Sequence, residues 1–80
     1  MKIKVLGPGC KNCTTLENEV INALAELNIS ADVEKIEDMN KIVEHDILMT
    51  PGLIINDKVK SSGKVPKRDV IKKWIQEEQS

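Results

Sequence analysis

The segment Gly7-Pro8-Gly9-Cys10-Lys11-Asn12-Cys13 restricts the fold most, because it sets the chain's only two cysteines where the hydrophobic period changes. Before it, Lys2 to Leu6 alternates lysine with apolar residues, the pattern of a strand with Ile3, Val5 and Leu6 facing or flanking the core. After it, Leu16, Val20, Ala23, Leu24 and Leu27 recur at spacings of three and four. That is the stripe of an amphipathic helix, ending near Asn28, a residue type that tolerates the left-handed conformation. The cysteines therefore stand at a helix start. There, unpaired backbone N–H groups and the helix dipole stabilise a thiolate, lowering a cysteine pKa from roughly 8.5 into a range of about 3.5–7.5. Two intervening residues let one sulfur reach the other within a helical turn. Cys10, ahead of the helix, is the expected exposed attacking thiol, and Cys13, one turn inside, the sheltered resolving thiol. Lys11 is read as a solvated loop residue with a small effect on the thiolate.

The rest of the chain supplies the partners of this strand and helix. Ala31 to Ile36 reads as a second strand, and the helix before it implies parallel pairing with the first. Asp38 suits the N-cap of a short helix carrying Met39, Ile42 and Val43 inward and ending at about His45 or Asp46. Gly52-Leu53-Ile54-Ile55 is the most apolar run, and Asn56-Asp57 turns it into a returning strand through Lys58-Val59-Lys60. Pro66 is expected in the first turn of a final helix, with Val70, Ile71, Trp74 and Ile75 as its stripe and Lys67, Lys72, Lys73 and Glu77 solvated. The order βαβαββα predicts an α/β chain with a four-stranded mixed sheet flanked by helices. Met39 and Met49 read as core fillers in an interior without Phe or Tyr, Met49 also neighbouring Thr50. His45 reads as a solvated residue, and Glu77 to Ser80 are expected to fray.

Composition removes several functions. Eighty residues without repeats or low-complexity stretches make one domain, 1–80. Twelve basic against thirteen acidic side chains leave a net charge of -1, so the basic excess needed for nucleic acid is missing. Trp74 is the single aromatic residue, which excludes a stacking platform for bases. No segment is apolar enough to span a membrane, and Met1 to Leu6 lacks the continuous apolar run of a secretory signal. Two cysteines three positions apart are not the spread staples of a secreted mini-protein, so a cytoplasmic location is expected.

The pair by itself admits a second chemistry. Two thiolates on a loop suit Cu(I) or half of a zinc site, and the motif is superficially similar to the heavy-metal-binding domains of copper chaperones. A thiol-based metal carrier or sensor is therefore the alternative to redox exchange. Against it, those domains close on a strand, whereas this chain closes on the helix that contains Trp74, and His45 alone does not complete a four-ligand zinc site.

Met49-Thr50-Pro51-Gly52 precedes the most apolar strand, and a proline there belongs at the strand's first position because it has no N–H for the ladder. Together with a cysteine pair between the first strand and first helix, this resembles the thioredoxin superfamily. The similarity covers the whole chain and is strongest to the small archaeal and bacterial thioredoxin-like redox-active disulfide proteins. It implies a thioredoxin fold in which Cys10 is the nucleophile, Cys13 resolves, Pro51 is a cis-proline facing the disulfide, and the Thr50 backbone pairs with an extended substrate segment. Ser62-Gly63 forms another wall in that scheme, with Gly63 admitting a partner's backbone; a turn glycine ending the fourth strand is the equal alternative.

The implied activity is that of a protein dithiol–disulfide oxidoreductase, acting on protein disulfides, served by an upstream disulfide reductase, and needing no cofactor or metal. A monomer is expected. Two departures stand out. Gly9 precedes Cys10 and Lys11-Asn12 separates the sulfurs where thioredoxins carry Trp-Cys-Gly-Pro-Cys, so the family's potential does not transfer. The first strand offers only Lys2 and Lys4 where thioredoxins bury an acid, so the proton of Cys13 is expected to leave by another route, such as water. The residues before the last helix, Ser61 to Asp69, also lack the glycine pair that binds glutathione in glutaredoxins.

Overall fold

The computed structural model describes residues 1–47 and 49–79. Among them lie β1 (Lys2–Leu6), α1 (Lys11–Leu27), β2 (Asp32–Ile36), α2 (Met39–Glu44), β3 (Gly52–Ile55), β4 (Lys58–Ser62) and α3 (Arg68–Gln79), in the expected order. The strands form one mixed sheet in the order β2-β1-β3-β4. β1 runs parallel to β2, with Leu6 opposite Ile36, and antiparallel to β3, with Leu6 opposite Gly52. The ends of β1, β2 and the start of β3 thus meet at one edge, where the loop with the cysteines emerges.

The alternation read in β1 divides the core between the two faces of the sheet. Ile3 and Val5 pack with Leu16, Val20, Ala23 and Leu24 of α1, Leu53 and Ile55 of β3, and Ile71 and Ile75 of α3. Leu6 points the other way, joining Ile36, Ile42, Ile47 and Ile54 under α2. Each fully buried Leu, Ile or Val stabilises the fold by roughly 1.5–3 kcal/mol relative to exposure, so both small cores matter in a chain without Phe or Tyr. Asn28 adopts φ 56° and ψ 43° at the end of α1, as its residue type favours. Asn56 and Asp57 take φ values of 50° and 67°, the left-handed pair of a tight hairpin turn. That turn is tied to β1 by the Asn56 N–H, which donates to the Lys2 carbonyl at 2.9 Å.

Three expectations give way. First, α2 buries Ile42 alone, while Met39 and Val43 are 53% and 57% exposed. Six residues make too short a helix to sink a broad stripe, and Ile47 beyond its end fills the remaining space beneath the sheet. Second, Pro66 lies ahead of α3; the Lys67 carbonyl starts the helix by accepting from the Val70 and Ile71 amides at 3.0 and 3.1 Å. Ile71 and Ile75 form its buried line, with Trp74 packed half-buried beside them and Val70 exposed. Third, α3 continues to Gln79. Its end is held by the Glu78 carboxylate, which accepts from Lys60 Nζ at 2.9 Å and Lys58 Nζ at 3.2 Å; Ser80, the last residue expected to fray, lies outside the described residues.

Charges fasten α3 to α1. Arg68 Nε and Nη2 donate to the two carboxylate oxygens of Glu19 at 2.9 and 3.0 Å, and Nη1 donates to Glu26 at 2.7 Å. Lys72 Nζ donates to the other Glu26 oxygen at 3.1 Å. The Arg68 hydrogen bonds hold both carboxyls below their ordinary value of 4.5, as Lys60 does for Glu78. Carboxyls depressed in the folded state stabilise it fully above the unfolded pKa and lose that contribution as pH falls through the folded one. Arg68→Met is therefore expected to lower the melting temperature at pH 7 and to narrow the drop between pH 7 and pH 3. An equal loss at both pH values in thermal scans would contradict this.

Ser61 is a different case. It faces the same side of the sheet as Leu53, its partner on β3, and its buried Oγ has no hydrogen-bond partner. A buried unpaired hydroxyl costs about 1–3 kcal/mol, so Ser61→Ala is expected to raise stability by about 1 kcal/mol in chemical denaturation. A loss of stability would show that the hydroxyl is satisfied in solution.

Candidate active site

The loop from β1 to α1 is fixed at both ends. The Gly7 N–H donates to the Ile36 carbonyl at 2.8 Å, carrying the β1–β2 pairing one residue past the strands. Cys10 then caps α1 in an extended conformation, φ -70° and ψ 168°; its Sγ accepts from the Cys13 N–H at 3.2 Å and its carbonyl from the Thr14 N–H at 3.0 Å. The Cys13 amide is one of the donors that a helix start leaves without an intrahelical partner, and it is aimed at the Cys10 sulfur. Cys10 is exposed and Cys13 is completely buried. The two are joined by a disulfide with Cα atoms 5.0 Å apart.

Proline and glycine complete the surroundings. The Thr50–Pro51 peptide bond is cis, Pro51 is buried and Thr50 half-buried. Gly7 lies between the disulfide and the proline: a Cβ placed on it would overlap Cys13 Sγ, touch Cys13 Cβ at 3.0 Å and reach Pro51 Cα at 3.9 Å. The Pro51 carbonyl in turn accepts the Gly63 N–H at 2.9 Å. A row of Cys13, Gly7, Pro51 and Gly63 therefore crosses the end of the sheet. Gly63 has φ 81°, a conformation that suits glycine. The surface above it is taken by Met49, which is 64% exposed and so is not the core filler the sequence suggested.

Two charged residues define the remainder. Sequence reasoning missed Glu37, whose Oε2 would lie 3.2 Å from a Cβ on Gly9. β1 carries no acid, whereas this one follows β2 and reaches the loop just ahead of Cys10. Lys4 shares the Leu6 side of the sheet, away from α1, and its Nζ donates to His45 Nε2 at 3.3 Å. His45 Nδ1 donates to the Lys41 carbonyl at 2.7 Å, so the ring ties α2 to β1. Among the described residues, no group of three or more His, Cys, Asp or Glu side chains is placed to hold a metal ion, and no observation favours the metal-carrier alternative.

The arrangement suits reversible dithiol–disulfide exchange: an exposed sulfur on a helix-start donor, a buried sulfur behind it, and a cis-proline across Gly7 from the buried one. Comparisons with known proteins agree. The thioredoxin domain family matches residues 1–76. A thioredoxin of Methanothermobacter thermautotrophicus is 41% identical over 75 residues, covering 94% of this chain and 97% of that protein. A thioredoxin of Methanocaldococcus jannaschii is 35% identical over 73 residues, covering 91% of this chain and 84% of that protein.

Proposed function

The chain belongs to the thioredoxin domain family and is a thiol–disulfide oxidoreductase acting on protein disulfides, and within that activity we propose that Cys10 attacks and Cys13 resolves. In the reduced protein the Cys10 thiolate attacks one sulfur of a target disulfide; that S–S bond breaks, a target thiolate leaves, and a mixed disulfide forms. The Cys13 thiol then loses its proton to solvent and attacks Cys10 Sγ, forming the internal disulfide and releasing the second target thiolate. Two electrons pass to the target. An upstream disulfide reductase returns two electrons and two protons to the Cys10–Cys13 pair.

The observation that carries this assignment is the contrast in burial between an exposed Cys10 at the helix N-cap and a fully enclosed Cys13. The attacker must meet a protein-sized disulfide, and the resolver needs to meet only Cys10. The Thr50 backbone supplies the edge against which an extended target segment lies, with the cis-proline Pro51 fixing that edge from behind and Gly63 the wall beyond them. We place the protein in the cytoplasm as a monomeric single domain over residues 1–80, in keeping with cysteines used for exchange instead of as staples. The test is reduction of insulin by dithiothreitol with and without the protein. Acceleration of precipitation is expected, and no acceleration with any dithiol donor would overturn the reading.

A further inference from the structure

Met49 is the most exposed of the large apolar side chains near the cysteine pair, and its backbone is tied to the end of β4. Its carbonyl accepts from Ser62 Oγ at 3.1 Å. Its side chain lies along Gly63: a Cβ on that glycine would meet Met49 Cβ at 2.9 Å, Cε at 3.2 Å and Sδ at 3.4 Å. The glycine is thus needed by Met49 itself, before any partner arrives. The Gly63 N–H is also occupied, since it donates to the Pro51 carbonyl at 2.9 Å. What this wall offers a target is the thioether above the glycine, at the far end of the row that begins with Cys13.

We propose that Met49 is a specificity-determining residue for the exchange reaction, giving preference to protein disulfides whose attacked cysteine is flanked by an apolar residue. This rests on the reading of Cys10 as attacker and the Thr50 backbone as the docking edge. A target segment laid along Thr50 brings a side chain next to its cysteine toward Gly63, where Met49 already stands. A methionine 64% exposed takes no place in the protein's own core and gains further apolar contact when a partner covers it. Its three flexible torsions and polarisable sulfur let it fit apolar neighbours of different shapes. A polar flanking residue would lose its water against the same surface and receive no hydrogen bond from the thioether in return.

The test uses the reduced protein and two disulfide-linked peptides that differ only in the residue beside cysteine, leucine in one and serine in the other. Each second-order rate is divided by that of the same protein toward hydroxyethyl disulfide, which carries no side chain to reach Met49, so that general changes in thiol reactivity cancel. Met49→Ala is expected to reduce the normalised preference for the leucine peptide by about fivefold, the scale of one lost apolar contact, while Met49→Leu keeps it. An unchanged preference in Met49→Ala, or a fall of the same size in Met49→Leu, overturns the proposal. Failure of the unmodified protein to react with hydroxyethyl disulfide would instead defeat the exchange reading on which it rests.

Discussion

Cys10→Ser is expected to reduce catalysed insulin reduction to the rate of dithiothreitol alone. A serine hydroxyl does not attack a disulfide sulfur at neutral pH, and Cys13 is fully buried beneath the position it would have to replace. Cys13→Ser should also stop turnover, but for another reason: Cys10 still attacks once and then has no internal thiol to release it. The two variants therefore differ in the first step and agree in the steady state. Stopped-flow measurement of a single encounter with a disulfide peptide separates them, and a Cys10→Ser protein that kept half of the normal single-encounter rate would contradict the assignment.

The largest structural effect is expected from a methyl group. Gly7→Ala places a Cβ in overlap with Cys13 Sγ and against Cys13 Cβ, at a site enclosed by the Ile36 hydrogen bond on one side and Pro51 on the other. Overpacking of this kind costs about 1–3 kcal/mol or more. In a chain of 80 residues each kcal/mol shifts the melting temperature by about 4–8 °C, so a fall of roughly ten degrees is expected in thermal unfolding. By contrast, a Cβ on Gly9 meets only the far end of the Glu37 side chain, and its strain comes from φ 89°. A Gly7→Ala protein as stable as the parent would mean that α1 slides away from the sheet without loss, contrary to the packing of Leu16 and Val20 on Ile3 and Val5.

These two predictions rest on the part of the chain that was most readable as sequence. The switch of period around Gly7-Pro8-Gly9 located β1, α1 and the cysteines together, because a buried strand and an amphipathic helix impose their repeats locally. Asn28 and the Asn56-Asp57 turn were equally readable, since left-handed backbone selects residue types one position at a time. Features set by distant contacts were not. Nothing local distinguishes Ile42, which is buried, from Met39 and Val43, which are not; Ile47 settles the matter by filling the space α2 leaves. A ring-poor interior argues for Met49 as core, but its position just ahead of β3 sets it at the surface over Gly63. Glu37 reaches the cysteine loop only because β2 pairs in parallel with β1, bringing the ends of both strands to the same edge. The site was legible in its chemistry and less so in its walls.

The exchange mechanism turns on Cys10 being the sulfur that meets the target. The direct measurement is mechanism-based trapping: each single cysteine variant is reduced, mixed with a disulfide-bonded protein substrate, quenched with acid and separated without reductant. Cys13→Ser is expected to run as a covalent complex with the substrate that disappears on adding dithiothreitol, and Cys10→Ser is expected to give none. Accumulation of the complex with Cys10→Ser and not with Cys13→Ser would reverse the roles of the two sulfurs and contradict this mechanism.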